Sequence, residues 1–219
     1  MLTSCSETLN VQGTTSLSEL ENRTLHLKVF DGQDFRSIDS AHVVHGKFGF
    51  RADVDSALQT LLFVDEDPQP IMPILLEGTA ITVTITETEQ RVDGSALNDS
   101  LAAFMSQYNA IRQRMMQLPR LEAKLITEGV SPADASVRML SEQVELVNDH
   151  EALVMPFIKR HFNDVLGPAA FLIVTADMDV PVMVPWIEEL ITFASPQFLA
   201  DPYVSEFVRI ARENHRQLR

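Results

Sequence analysis

The sequence holds one cysteine, Cys5, in 219 residues. That count excludes an intramolecular disulfide, a Cys-x-x-Cys redox pair and a thiolate zinc cluster. No apolar run reaches the length a membrane-spanning helix needs. Positive charge is scarce: 17 Lys and Arg stand against 31 Asp and Glu, for a formal net charge of −14. A surface of that sign argues against nucleic acid as a partner, because binding it requires cations that displace condensed counterions. Aromatic residues other than Phe are few, with one Trp and two Tyr. The chain has no internal repeat, no low-complexity tract and no Gly-x-Ser-x-Gly nucleophile elbow.

What is present begins at the N-terminus. Leu2-Thr3-Ser4-Cys5 has the form of a bacterial lipobox: a branched apolar residue, two small residues that lie extended in a narrow cleavage site, and a thiol that accepts the diacylglyceryl group. A signal peptide also carries a basic segment and an apolar stretch ahead of the motif. Only Met1 precedes Leu2 here, so the expectation is a start trimmed just inside that peptide. The competing reading is a cytosolic protein with a free N-terminal thiol.

Residues 7–95 read as an antiparallel β domain. Leu25-His26-Leu27-Lys28-Val29 and Ile81 through Thr86 alternate apolar with polar, which turns every second side chain to one buried face. Asp31-Gly32 supplies a turn into Phe35-Arg36-Ser37-Ile38, and Phe48 and Phe50 share a face after Gly46. Leu58 to Val64 is a more continuous apolar strand, followed by the acidic loop Asp65-Glu66-Asp67. Pro68, Pro70 and Pro73 confine Ile71–Leu76 to an edge or to a bulged strand. Short strands broken by frequent turn signals predict a sandwich or curled sheet.

From residue 96 the period changes. Leu97, Leu101, Phe104, Tyr108, Ile111 and Met115 fall on one helical face, with Ser95 as N-cap. Pro119 marks a helix end or kink. Ser131-Pro132-Ala133-Asp134 starts a second helix in which Val137, Leu140 and Val144 keep helical spacing. Pro156 interrupts that run and Leu166-Gly167-Pro168 closes it. Ser195-Pro196 and Asp201-Pro202 start further helices. The fold class is therefore α+β: an antiparallel β-sandwich-like N-terminal half followed by an all-helical C-terminal half. The expected organisation is a lipobox and tether over 1–6, the β domain over 7–95 and the helical region over 96–219.

Candidate sites are thin. His42 and His45 have a spacing that suits a metal on a helix, but in a strand it points them to opposite faces. Asp65-Glu66-Asp67 lacks the alternation and glycine of a calcium loop. Met115-Met116 reads as core filling. The stripe of Arg209, Arg212, Arg216 and Arg219 complements the negative end of the last helix more readily than it contacts anionic lipid. Asn22-Arg23-Thr24 and Asn98-Asp99-Ser100 match a glycosylation sequon, which carries no weight in a bacterial host. No catalytic residue, metal ligand or cofactor site emerges; the one site is lipidation at Cys5.

Four elements in order give the chain a resemblance: Val11-Gln12-Gly13-Thr14 after the lipobox, Gly46-Lys47-Phe48-Gly49-Phe50, Pro73-Ile74-Leu75-Leu76-Glu77-Gly78, and Gly94-Ser95-Ala96-Leu97-Asn98-Asp99. In that pattern it resembles the β-rich N-terminal domain of unknown function that precedes thioredoxin-like modules in lipoproteins of Bacteroidetes. Pro202-Tyr203 is similar to the segment that leads into the redox module of longer relatives. The module and its Cys-x-x-Cys have no counterpart in these 219 residues, so the redox activity transfers to no residue. The resemblance implies a non-catalytic cell-envelope lipoprotein without cofactor, anchored in a membrane through Cys5. It would bind or position a partner such as an envelope redox protein or a small ligand, and no nucleic acid. Two other readings stand beside it: a fragment or degenerate relative of a thiol-disulfide oxidoreductase, and a cytosolic protein that self-associates through its helices.

Overall fold

The computed structural model describes residues 7–176 and 178–217; Cys5 and the rest of the lipobox lie outside them. Eight strands come first: β1 (Glu7–Thr15), β2 (Thr24–Phe30), β3 (Phe35–His42), β4 (Lys47–Val54), β5 (Leu58–Val64), β6 (Pro70–Leu76), β7 (Ile81–Ile85) and β8 (Gln90–Asp93). They form two four-stranded sheets, ordered β4-β1-β7-β8 and β3-β2-β5-β6. All pairings are antiparallel except β1 with β7, which run parallel. The predicted sandwich is present, with this one parallel pair that local patterning does not reveal.

The alternation read from sequence decides which side chains meet between the sheets. Leu25 and Leu27 of β2 face Phe48 and Phe50 of β4 and Ile81, Val83 and Ile85 of β7 in one buried cluster. β6 is an edge strand, as its prolines require, and its pairing with β5 slips at Leu62/Phe63. Gly13 of β1 lies opposite Phe48, whose ring occupies the space a side chain there would take.

The helical half follows as α1 (Ala96–Thr127), α2 (Pro132–Arg160), α3 (Leu166–Thr175), α4 (Pro185–Phe193), α5 (Pro196–Ala200) and α6 (Pro202–Gln217). Ser95, Ser131 and Ser195 cap α1, α2 and α5 by accepting the backbone N–H three residues on. The prolines behave differently from expectation. α1 runs through Pro119 and α2 through Pro156, because both residues face solvent, where water can take the carbonyl a proline leaves unbonded. Leu166-Gly167-Pro168 opens the buried helix α3 instead of closing a run. Gly167 is required there because a Cβ would lie 2.3 Å from the His161 carbonyl oxygen.

α1 and α2 form an antiparallel hairpin whose inner seam carries Phe104, Tyr108 and Leu146. Val137, Leu140 and Val144 lie outside that seam, exposed by 65%, 54% and 60%. Met116 is likewise 70% exposed, so of the Met115-Met116 pair only Met115 turns toward the seam. The helical core gathers Phe104, Ile158, Phe171, Ile187, Phe198 and Phe207 and includes Leu75 of β6. The helices thus form a third layer against the outer face of the β3-β2-β5-β6 sheet.

Candidate functional site

β5 is covered on both faces, and its alternation divides its side chains between two environments. Leu58, Leu62 and Val64 turn into the sandwich. Leu61 and Phe63 turn outward onto Leu172 of α3, with Tyr203 of α6 packed beside them. Between this outward face and the helices lies a cleft of about 310 Å³, within the range of small-molecule sites. Its sheet wall presents Lys28, Phe30, Phe35, Gln59 and Leu61; its helical wall presents Phe162, Leu172, Phe198, Asp201 and Tyr203.

Aromatic rings close one side. Phe30 meets Phe35 and Tyr203 with centroids 5.2 and 5.7 Å apart, and Phe35 meets Phe63 at 5.4 Å. The Lys28 ammonium lies 4.6 Å from the centre of the Phe63 ring, a cation–π arrangement. The Tyr203 hydroxyl is 3.0 Å from Thr175 Oγ1, and that threonine donates to the Phe171 carbonyl at 2.7 Å, so Tyr203 is the donor. Burial pushes the Tyr203 phenol above its ordinary value.

Asp201 holds the N-terminus of α6: its Oδ1 accepts the backbone N–H groups of Tyr203 at 3.0 Å and Val204 at 3.1 Å. Burial nevertheless raises its carboxyl above the usual aspartate range, outweighing both bonds. Gln59 faces the cleft with a carboxamide that makes no hydrogen bond among the described residues, and its Nε2 is buried. These are the polar groups that border the cleft; among the described residues no serine, threonine, cysteine or histidine lines it.

A second constellation ties the layers together. The Asn98 carboxamide donates to the Leu75 carbonyl at 2.7 Å and accepts the Leu75 N–H at 2.9 Å. Its Nδ2 also donates to Ser95 Oγ at 2.8 Å, and Ser95 Oγ donates to the Glu77 carboxylate. Because β6 is an edge, Asn98 supplies the partner that a further strand would have given Leu75.

Other residues singled out from sequence do not converge. His42 Nδ1 meets Thr24 Oγ1 at 3.2 Å, while His45 sits in a turn at φ 52° and gives its backbone N–H to Glu21. Asp65 pairs with Arg23 and accepts the Thr24 N–H; the bond to Arg23 is the main reason its carboxyl lies below the usual range. Among the described residues no cluster of three or more His, Cys, Asp or Glu could hold a metal. Arg209 bridges Glu206 and Glu213 along α6 at 2.6 and 2.8 Å, and Arg219 lies outside the described residues. Asn98 of the second sequon is buried, with 4% exposed. Sequence reading passed over Gln59 and Lys28, and saw Asp201 only as a helix start. A polar residue inside the apolar run Leu58–Val64 was the available signal.

Residues 9–101 match the family model described as Domain of unknown function (DUF4369). The N-terminal β-rich part of the chain is a DUF4369 domain. Its C-terminal limit takes in Asn98, so the bond to Leu75 lies within it. A search of the curated proteins finds no match to the chain. The DUF4369 domain supplies the sheet wall of the cleft, and α3, α5 and α6, beyond residue 101, supply the other. No helix among the described residues is long and apolar enough to cross a membrane.

Proposed function

We propose that this chain is a non-catalytic binding or positioning module of the cell envelope. It is held at a membrane by lipid on Cys5 and is related to the N-terminal part of thiol-disulfide oxidoreductase lipoproteins. The single observation that carries the binding role is the cleft between the DUF4369 sheet and α3, α5 and α6. It combines an apolar, aromatic lining with polar groups that the protein leaves unpartnered. Folded proteins seldom bury a carboxamide without a partner, and binding sites are where such groups are kept. The anchor is supported by Leu2-Thr3-Ser4-Cys5 and by the membership of residues 9–101. The partner is a small ligand in the cleft or an envelope redox protein presented with it.

Metabolic labelling with a palmitate analogue tests the anchor, comparing cells that express the complete gene with cells that express its Cys5→Ala form. The expected outcome is label in the first and none in the second. Absence of label from both overturns the anchor.

A further inference from the structure

The polar side chains around the cleft differ in how far the protein satisfies them. Asp164 spends both oxygens, one on the Leu166 N–H at 2.9 Å and one on His161 Nδ1 at 2.8 Å. Gln197 donates its Nε2 to the Asn163 carbonyl at 3.0 Å, and the Tyr203 hydroxyl is engaged with Thr175. Three groups remain. The Gln59 carboxamide bonds to nothing among the described residues. Asp201 directs both of its backbone bonds to Oδ1, leaving Oδ2 without a partner there. Lys28 has only the face of Phe63, with no carboxylate beside it among the described residues.

Those three groups select a ligand by elimination. A carboxylate head meets the like charge of Asp201, and an ammonium head meets that of Lys28. Either charged head also gives up its hydration on entering an apolar cleft. A neutral head with both a donor and an acceptor meets no like charge. Its oxygen accepts from Lys28 or Gln59 and its hydrogen goes to the free oxygen of Asp201. Phe30, Phe35, Leu61, Phe162, Leu172 and Phe198 leave the remaining wall to hydrocarbon. We infer that the cleft binds an uncharged amphiphile: a hydrocarbon chain ending in an amide or alcohol. This rests on the binding role proposed above and names the chemistry of that same site.

The test titrates four six-carbon probes, hexanamide, 1-hexanol, hexanoate and hexylammonium, into the ¹⁵N-labelled full chain. The readout is the side-chain amide signal of Gln59, assigned by its absence from the Gln59→Leu spectrum. Hexanamide and 1-hexanol are expected to shift that signal and to bind at least about tenfold more tightly than either charged probe. Asp201→Asn keeps the capping oxygen and removes the charge. It is expected to tighten hexanoate about tenfold and to weaken hexanamide, whose hydrogen meets an N–H donor in place of the free oxygen. Equal or tighter binding of a charged probe overturns the ligand class and leaves the cleft a binding site. Silence of the cleft resonances with all four probes overturns both this inference and the binding role.

Discussion

Asn98 on the first turn of α1 hydrogen-bonds both backbone groups of Leu75 on the edge strand β6, at 2.7 and 2.9 Å. One side chain thus closes the sheet edge and fixes where the helical layer begins. Removing it leaves a buried N–H and a buried C=O unpaired, each costing about 1–3 kcal/mol. Asn98→Ala is expected to destabilise the protein by about 2–4 kcal/mol in urea denaturation. Asn98→Asp, which sets a buried carboxylate oxygen against the Leu75 carbonyl, should cost at least as much at neutral pH. A change below 0.5 kcal/mol, the scale of a neutral surface substitution, would contradict the role assigned to Asn98.

His150 lies half-buried between Tyr108 and Trp186, with ring centroids 5.9 and 5.8 Å away. Burial holds its imidazole below the ordinary value of 6.5, with Glu151 opposing. The unfolded chain therefore binds the proton more readily than the folded one. The stability this histidine allows is fully present above about pH 6.5 and is lost as the pH falls through that value toward its depressed folded pKa. Thermal unfolding at about pH 7.5 and pH 5 should show a loss in the native protein that shrinks in His150→Phe. An equal loss in both proteins counts against this assignment.

Gly13 admits no larger residue, because a Cβ there would lie 2.1 Å from the Phe48 ring. Gly13→Ala is expected to cost about 1–3 kcal/mol through forced movement of the ring. Phe48→Leu vacates that space, so the double variant should be more stable than the sum of the two single changes implies. Additive losses would place the strain elsewhere.

Val137, Leu140 and Val144 face solvent on the outside of the α1–α2 hairpin. Changing all three to Lys is expected to alter stability by no more than about 0.5 kcal/mol per site. Leu146→Ala on the inner seam of the same helix should cost about 2–5 kcal/mol. Comparing the two melting curves separates the faces: collapse of the triple-Lys protein would mean that the outer stripe is buried.

Local chemistry determined most of the elements. Alternation at Leu25, Leu27 and Val29 and at Ile81, Val83 and Ile85 marks strands whose buried face is set by the pleat itself. Ser95, Ser131 and Ser195 mark helix starts because a capping side chain bonds a backbone N–H only three residues away. The class α+β follows from the order of these signals along the chain.

Other outcomes depended on neighbours remote in sequence. Helical spacing identifies Val137, Leu140 and Val144 as one face but cannot say whether another layer covers it; among the described residues none does. Pro119 and Pro156 read locally as breaks, and both helices continue because the prolines point to water. β1 pairs in parallel with β7, some seventy residues away, where no local turn could announce it. The cleft belongs to the same class. Gln59 and Asp201 are 142 positions apart in the chain, and each reads locally as an ordinary polar residue. Only the stacking of α3, α5 and α6 on the outer face of β5 takes both from water and turns them toward a common space.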